Sequence, residues 1–520
     1  MRRFIARHLD KIIGVLEGFD RLVFRGWFKP FCYEGGMRRF LASQDVLLKD
    51  FEPFAKDLTG MIRDAATVVG EQLHEKVHYL SSPTVSKEMV ARNYQSDRPN
   101  RFGPICVLSA LEPCSTWQVH RSRERKTPQE FRRCLAKCLH HYHYFRDRRL
   151  GFMHVRVQSW FPFQVQVCVN GREWLGRRLD ERRLRYRRAG NCFPWIASPE
   201  IAQELMNDML DLPWRDLLDE LAVAANPVLG TLMDELGQGC YWTVWQSEWA
   251  TDVMFKDTES LAACYPAFVR HAMENLGSAD VLRFLGRKLH GNYEGEVTSD
   301  YKRRVEGVRV KHCAGRNSGK MYDKQGSVLR TETTINNPAE FKVRRKAHGD
   351  PHSEVALRPL RRSVVELKRL VRVGKNSNRR YLDTLATVGC ETPMERIIEP
   401  LTRPTELAGR RVRGLRPWTD LDFRLLRAAG SGDFLINGFR NRDIRGFLFP
   451  DPDSDVPPDP RQRRKDAAKV SRLLRLLRAH GLIERVTGTH RYHVTTLGRS
   501  VITGIVAARQ ATLSGLQQCA

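Results

Sequence analysis

No stretch of about 18 apolar residues occurs in the chain, which excludes a transmembrane helix of ordinary length. The N-terminus Met1-Arg-Arg-Phe-Ile-Ala-Arg-His8 soon meets Asp10, Lys11 and Glu17, so the uninterrupted apolar core of a signal peptide is missing. None of the twelve cysteines forms a Cys-x-x-Cys pair, and several lie in apolar segments. A disulfide framework is not expected at this length, and reduced thiols in the cytoplasm are expected. There is no Gly-x-x-x-x-Gly-Lys-Ser/Thr loop, so a nucleotide-driven motor is not supported; Arg316-Asn-Ser-Gly-Lys320 lacks the first glycine. No coiled-coil heptad run and no internal repeat is evident.

Acidic residues are also scarce relative to basic ones. Lys and Arg number 87 against 60 Asp and Glu, a formal charge of +27 over 520 residues. Charge on this scale attracts a polyanion, and with no membrane segment the expected partner is nucleic acid, DNA or structured RNA. Hydrophobic residues make up 41%, enough for folded domains rather than disorder.

The chain reads as a multi-domain α+β protein, with antiparallel sheet modules, helices and a C-terminal winged helix-turn-helix. Residues 1–100 carry helical periodicity, including a basic amphipathic opening over Phe4–Phe28. Residues 101–236 switch to period two, with strands at Ile105–Leu108, Thr116–His120, Leu139–Phe145, Phe152–Gln158 and Gln164–Asn170. Turns are expected at Glu112-Pro, Asp147-Arg-Arg and Phe161-Pro. Residues 237–400 form a second β-rich module with a helix over Ala279–His290. Residues 401–417, with Gly409-Arg-Arg-Val-Arg-Gly-Leu-Arg-Pro417, read as a basic linker.

Residues 418–520 predict three helices, a two-stranded wing about Gly488 and a closing helix. Asp451–Pro460 is expected as a loop. Helix Lys465–His480 places Val470, Leu473, Leu474 and Leu477 on one stripe and Lys469, Arg472, Arg475 and Arg478 mostly opposite. A recognition helix is built this way, since one face packs and the other meets the major groove. Arg463, Arg464 and Lys465 extend the positive field, and His490 and Arg491 sit at the wing tip. The alternative is a solvated surface helix or a protein-docking module.

The central charged segment is Arg316-Asn-Ser-Gly-Lys-Met-Tyr-Asp-Lys324 followed by Leu329-Arg-Thr-Glu-Thr-Thr-Ile335. It reads as a hairpin turning at Gly326. Alternation puts Lys320, Tyr322 and Lys324 on one face, with Arg330 and Glu332 pointing the same way, a set suited to a phosphodiester. Upstream, strand 241–249 delivers Gln246 and Glu248 to one face, and Asp252 follows. Glu248, Asp252, Asp323 and Glu332 are therefore candidate oxygen ligands for Mg²⁺ or Mn²⁺. Candidate nucleophiles are Tyr322, Tyr293 and Tyr301, with Lys324 beside the first. Solvated carboxylates at strand ends, on a binding surface without chemistry, are the plain alternative.

Two other segments have ligand-type residues. Cys134-x-x-x-Cys-x-His-His-Tyr-His143 offers sulfur and imidazole for zinc, although a half-exposed strand of polar aromatics accounts for it equally. Trp160, Trp242, Trp245 and Trp249 fit core packing or base stacking. Arg177-Arg-Leu-Asp-Glu-Arg-Arg-Leu-Arg-Tyr-Arg-Arg188 fits a phosphate-facing helix or a solvated one.

The order Glu248…Asp252, Gly315-Arg-Asn-Ser…Met-Tyr-Asp-Lys324 and Leu-Arg-x-Glu332 resembles the rolling-circle replication initiators of plasmids and filamentous phages. In these, acidic residues support a metal and a tyrosine nicks single-stranded DNA. The resemblance implies metal roles for Glu248, Asp252 and Glu332, places Lys324 at the family lysine, and suggests a mobile element. Gln246 replaces the initiators' arginine, and Val310-Lys-His-Cys-Ala-Gly315 has no tyrosine. His141-Tyr-His143 is similar to the His-hydrophobic-His metal motif of other nicking enzymes. The whole chain resembles a widespread bacterial family of uncharacterised function, labelled MarR-like from its C-terminal region. Shared phrases are Phe19-Asp-Arg-Leu-Val-Phe-Arg-Gly26, Gly286-Arg-Lys-Leu-His-Gly291, Leu329-Arg-x-Glu-Thr-Thr-Ile-Asn-Asn-Pro338 and Phe434-Leu-Ile-Asn-Gly-Phe-Arg-Asn-Arg442. Three readings follow: a nucleic-acid binder, a metal-dependent nicking or strand-transfer enzyme, and a transcriptional regulator or ribonucleoprotein subunit.

Overall fold

The computed structural model describes residues 1–96, 102–121, 129–274, 276–286, 297–303, 307–347, 349–350, 352–386, 388, 394–431, 434, 438–450, 460–486 and 488–510. Tyr293, most of the 451–460 segment, Thr487 and residues 287–290 of the expected central helix lie outside them. The chain forms two compact units: Ile13–Met254 with Glu332–Lys375, and Met1–Ile12 with Phe255–Thr331 and Asn376–Ala520. It is a mixed helix-and-sheet protein whose sheets are mainly antiparallel.

After the short helix α1 (Arg2–Arg7), the first unit begins with strand β1 (Ile12–Trp27). Helices α2 (Glu34–Ser43) and α3 (Phe51–Gln72), the two-residue strand β2 (His78–Tyr79) and helix α4 (Lys87–Ser96) follow. A meander comes next: β3 (Gly103–Arg121), β4 (Gln129–Asp147), β5 (Gly151–Gln158) and β6 (Val165–Val169). Helix α5 (Gly171–Glu181), the hairpin β7 (Tyr186–Ala189) and β8 (Cys192–Ile196), helices α6 (Pro199–Asp208), α7 (Trp214–Ala225) and α8 (Val228–Glu235), and strand β9 (Tyr241–Phe255) complete the run. The hydrogen-bonded order here is β9-β1-β6-β5-β4-β3-β2.

The expected helical opening is thus largely a strand. Residues Leu16–Asp20 of β1 are buried without alternation, because a central strand packs on both faces and loses its period-two signature. Two glycines of this strand sit where neighbours approach closely. A Cβ at Gly26 would lie 2.8 Å from the Trp242 ring, and one at Gly18 would overlap the Met206 side chain. The expected turn at Glu112-Pro is also absent. β3 runs straight through, with Pro113 opposite Lys137. The outer partner of β3, β2, meets it only at Leu108 and Ser109, so the missing proline N–H breaks no ladder. The turn after Asp147 forms, and so does α5, capped where the Asn170 side chain accepts from the Arg172 N–H at 2.7 Å.

In the second unit, helices α9 (Thr258–Ala262), α10 (Tyr265–Glu274) and α11 (Ser278–Phe284) precede β10 (Val297–Arg303), β11 (Val308–Ala314), β12 (Asn317–Lys324) and the start of β13 (Val328–Ile335). The last four residues of β13 belong to the first unit. These strands hydrogen-bond in the order β10-β11-β12-β13. The expected hairpin at Gly326 is present, with the glycine at φ +74°. Helix α12 (Leu367–Leu385) follows.

The C-terminal part of the second unit holds α13 (Met394–Thr402), α14 (Asp420–Ala429), α15 (Asn441–Leu448), α16 (Pro460–Ala479), a hairpin of Ile483–Arg485 with Tyr492–Val494, and α17 (Thr496–Gln510). Leu426, Ile444, Val470, Leu473, Leu474 and Leu477 share one core. The segment expected as a linker is folded onto it. Thr405–Leu407 pairs with Arg410–Val412, Leu415 is buried, and Arg413 makes two 2.7 Å hydrogen bonds to Asp422.

Candidate metal centre

Asp20 on β1, Glu248 on β9 and Glu332 on β13 converge, each offering an oxygen within 4.8 Å of the others. Asp20 and Glu332 are buried and Glu248 is half-buried. Each is oriented by a neighbour. Asn191, in the β7–β8 turn, donates to Asp20 Oδ1 at 2.6 Å. Gln246 donates to Glu248 Oε1 at 3.1 Å, and the Thr334 hydroxyl donates to Glu332 Oε1 at 3.4 Å. A cavity of about 400 Å³ reaches Asp20, lined also by Arg21, Glu88, Arg92, His154 and Asn191.

Three carboxylates this close need a counter-charge. At an effective dielectric of about 20, two like charges some 5 Å apart repel by roughly 3 kcal/mol. Oxygens bound to one Mg²⁺ at about 2.1 Å lie at most about 4.2 Å apart, a separation close to the 4.8 Å bound on this set. An all-oxygen donor set fits Mg²⁺ or Mn²⁺. Arg21 also feels these groups. Burial alone would lower its pKa, yet it is raised by nearby Cys168, Glu248, Glu88 and Asp20.

Two of the expected ligands, Glu248 and Glu332, are therefore brought together; the other two are not. Asp252 is buried in an ion pair with Arg172 at 2.9 Å, both side chains essentially inaccessible. Arg172 enters from the first turn of α5, so a carboxylate four residues beyond Glu248 meets a guanidinium instead. Asp323 lies on β12 in the second unit, where its N–H donates to the Tyr265 hydroxyl at 3.0 Å. Asp20 was not anticipated as a ligand. Its signal was a single carboxylate within the apolar run Phe19-Asp-Arg-Leu-Val-Phe.

The hairpin face expected to meet a phosphodiester is largely closed. Every residue of β13 is buried, Arg330 completely so, and Tyr322 is only 8% exposed. Arg330 is thus excluded as a surface contact and Tyr322 as an accessible nucleophile in this conformation. Lys320 and Lys324 are half-buried, with Lys324 Nζ 6.0 Å from the Tyr322 ring centre. Arg316 is exposed in the β11–β12 turn, and Tyr301 is exposed on β10. His141 and His143 are buried, and neither ring nitrogen has a hydrogen-bond partner. Among the described residues no third ligand joins them.

The α16 residues fall as the helical period predicts. Arg463, Arg464, Lys465, Lys469 and Arg472 are exposed, Arg475 and Arg478 half-buried, and Lys469 lies 4.8 Å from the Phe449 ring centre. At the hairpin, His490 is exposed and Arg491 half-buried. No described helix is long and apolar enough to cross a membrane. No protein-family model, no curated protein and no solved structure matches the chain.

Proposed function

We propose that this chain is a nucleic-acid-binding protein that cleaves phosphodiester bonds with the help of Mg²⁺ or Mn²⁺. The reading rests on one observation: Asp20, Glu248 and Glu332, far apart in sequence, gather their oxygens within 4.8 Å in a protein of formal charge +27. A divalent ion held there supplies Lewis-acid polarisation of a phosphoryl oxygen and a more acidic bound water. Asn191, Gln246 and Thr334 keep the carboxylates pointed inward, and Arg21 and Arg92 add positive charge to the cavity beside Asp20. With Tyr322 buried, this reading prefers water over tyrosine as the nucleophile, unlike the rolling-circle initiators.

The C-terminal elements support a winged helix-turn-helix as the duplex- or structured-RNA-binding part. Their order is α14, a short bridge of Phe439 to Tyr492, α15, α16 and the hairpin. That bridge stands where a wing sheet would have its third strand, and Asn441 ties α15 to α16 through Ala467 O and Ser471 Oγ, each at 2.9 Å. Helix α16 is then the recognition helix.

A second reading keeps the binding and drops the chemistry, with Arg21 as the counter-charge to the carboxylates. One experiment separates them. Full-length protein is incubated with labelled single- and double-stranded DNA and RNA, with Mn²⁺ or with EDTA. Cleavage is expected only with the metal and is lost in Asp20→Asn and Glu332→Gln, while binding persists. Binding without metal-dependent cleavage leaves the second reading; no binding at low ionic strength sinks both.

A further inference from the structure

We propose that Cys114, Cys138 and His140 form a zinc site at the root of a two-stranded ribbon. One donor atom from each lies within 4.8 Å of the others, and the two Sγ atoms are 2.7 Å apart. This set is separate from the carboxylate centre and does not depend on the function proposed for it.

The register explains the convergence. Cys114 faces Ala136, Cys138 faces Glu112 and His140 faces Ala110, so all three side chains leave the same face of the β3–β4 pair. His140 is 1% exposed, and its Nδ1 lies 3.2 Å from the Cys138 carbonyl. A proton on Nδ1 donated to that carbonyl leaves the lone pair on Nε2, which is how metal-bound histidines are usually oriented. With Zn–S near 2.3 Å, two sulfurs on a tetrahedral ion lie about 3.8 Å apart, so the thiols, now 2.7 Å apart, part by about 1 Å when they share the ion with His140. Sulfur and imidazole favour zinc over the magnesium-type ion suited to the carboxylates. Cys134, the other diagonal neighbour of Cys114, has its Sγ 3.3 Å from His120 Nε2 and is not part of the set. A disulfide is the competing use of the thiols, whose Sγ atoms lie 2.7 Å apart against about 2.05 Å in the bond, but it would leave His140 unexplained.

The location supplies the purpose. β4 pairs with β5 only from His140 onward, and β3 pairs with β2 only at Leu108 and Ser109. Among the described residues, 111–121 and 129–139 therefore pair only with each other. Its packing comes from outside the ladder: the Trp117 indole N–H donates to the Phe31 carbonyl at 2.8 Å, and Phe131 meets the Phe51 ring at 4.8 Å. The ribbon carries exposed Arg132, Arg133 and Lys137, with Trp117 stacked on Phe131 at 4.7 Å farther out. A metal clamp where it leaves the sheet adds to this packing, and binding releases the two thiol protons as thiolates form.

The test uses full-length protein purified without chelator. Elemental analysis is expected to find about one zinc per chain, and Co²⁺ exchange to give thiolate-to-cobalt charge-transfer absorption. Cys114→Ser and Cys138→Ser should each lose both signals, whereas Cys264→Ser should keep them. If the variants misfold, cobalt titration of the unaltered protein still decides. Absence of zinc together with no charge-transfer band overturns the site. So does a thiol count that rises by two only after phosphine reduction, which would mean a disulfide.

Discussion

Helix α16 and strand β13 are both rich in ionisable residues, and they treat them in opposite ways. α16 buries Val470, Leu473, Leu474, Leu476 and Leu477 and leaves Arg463, Arg464, Lys465, Lys469 and Arg472 in solvent. β13 buries everything, Arg330 and Glu332 included. The difference lies in how many sides are covered. A surface helix packs one stripe, so its charges stay in water at little cost. An inner strand is flanked on both edges and covered on both faces, so its charges must find partners there. Charge on α16 is thus available to a polyanion, while charge in the sheet marks either a structural ion pair or a chemical centre.

Four measurements bear on this contrast. The largest effect is expected at the buried pair. Arg172→Met strands Asp252 and should lower unfolding free energy by about 3–5 kcal/mol in denaturant titrations; a change below about 1 kcal/mol would show that the pair is not a structural one. Next comes Glu332→Gln. Losing one of three ligands should reduce metal-dependent cleavage on the order of a hundredfold, and half-saturation in Mn²⁺ should move upward. Cleavage unchanged in this variant would remove Glu332 from the centre.

A smaller effect is expected from His312. It is fully buried, and burial lowers its pKa to about 4, against an opposing pull from Asp300. Its nitrogens lie 2.7 Å from the Ser299 hydroxyl and 3.2 Å from that of Tyr381. The unfolded chain takes up this proton first, near pH 6.5, so the contribution is intact above that pH. It should decline by about 1.4 kcal/mol per unit as pH falls from about 6.5 to about 4. Comparison of thermal unfolding of His312→Gln with the parent at pH 7 and pH 5 checks this; parallel losses would exclude His312 as the source.

The smallest stability effect, with a distinct binding signature, is expected on α16. Arg464→Ala or Arg472→Ala should change stability by no more than about 0.5 kcal/mol. Each should weaken nucleic-acid binding and reduce the salt slope by about 1. An unchanged slope would turn α16 back into a solvated helix.

The α16 face was legible because a 3.6-residue period with an apolar stripe needs no information from elsewhere in the chain. The meander from β5 to α5 and the hairpin at Gly326 were legible for a similar reason: alternation, Asn170 and a glycine in a left-handed turn are local signals. β1 was not, because its neighbours on both faces erase alternation. The centre was half legible. Glu248 and Glu332 could be picked out as carboxylates in strands, but nothing along the chain says that Asp20 joins them or that Asp252 meets Arg172.

Composition and local pattern were enough to settle that this protein is strongly basic, mixed α and β, and armed with one helix whose cations face outward. Those properties depend on neighbours a few residues away. Which carboxylates share a centre, which cations are buried and which thiols meet an imidazole depended on strand order and register. Those bring together residues from a few tens to some hundreds of positions apart, and only the folded chain specifies them.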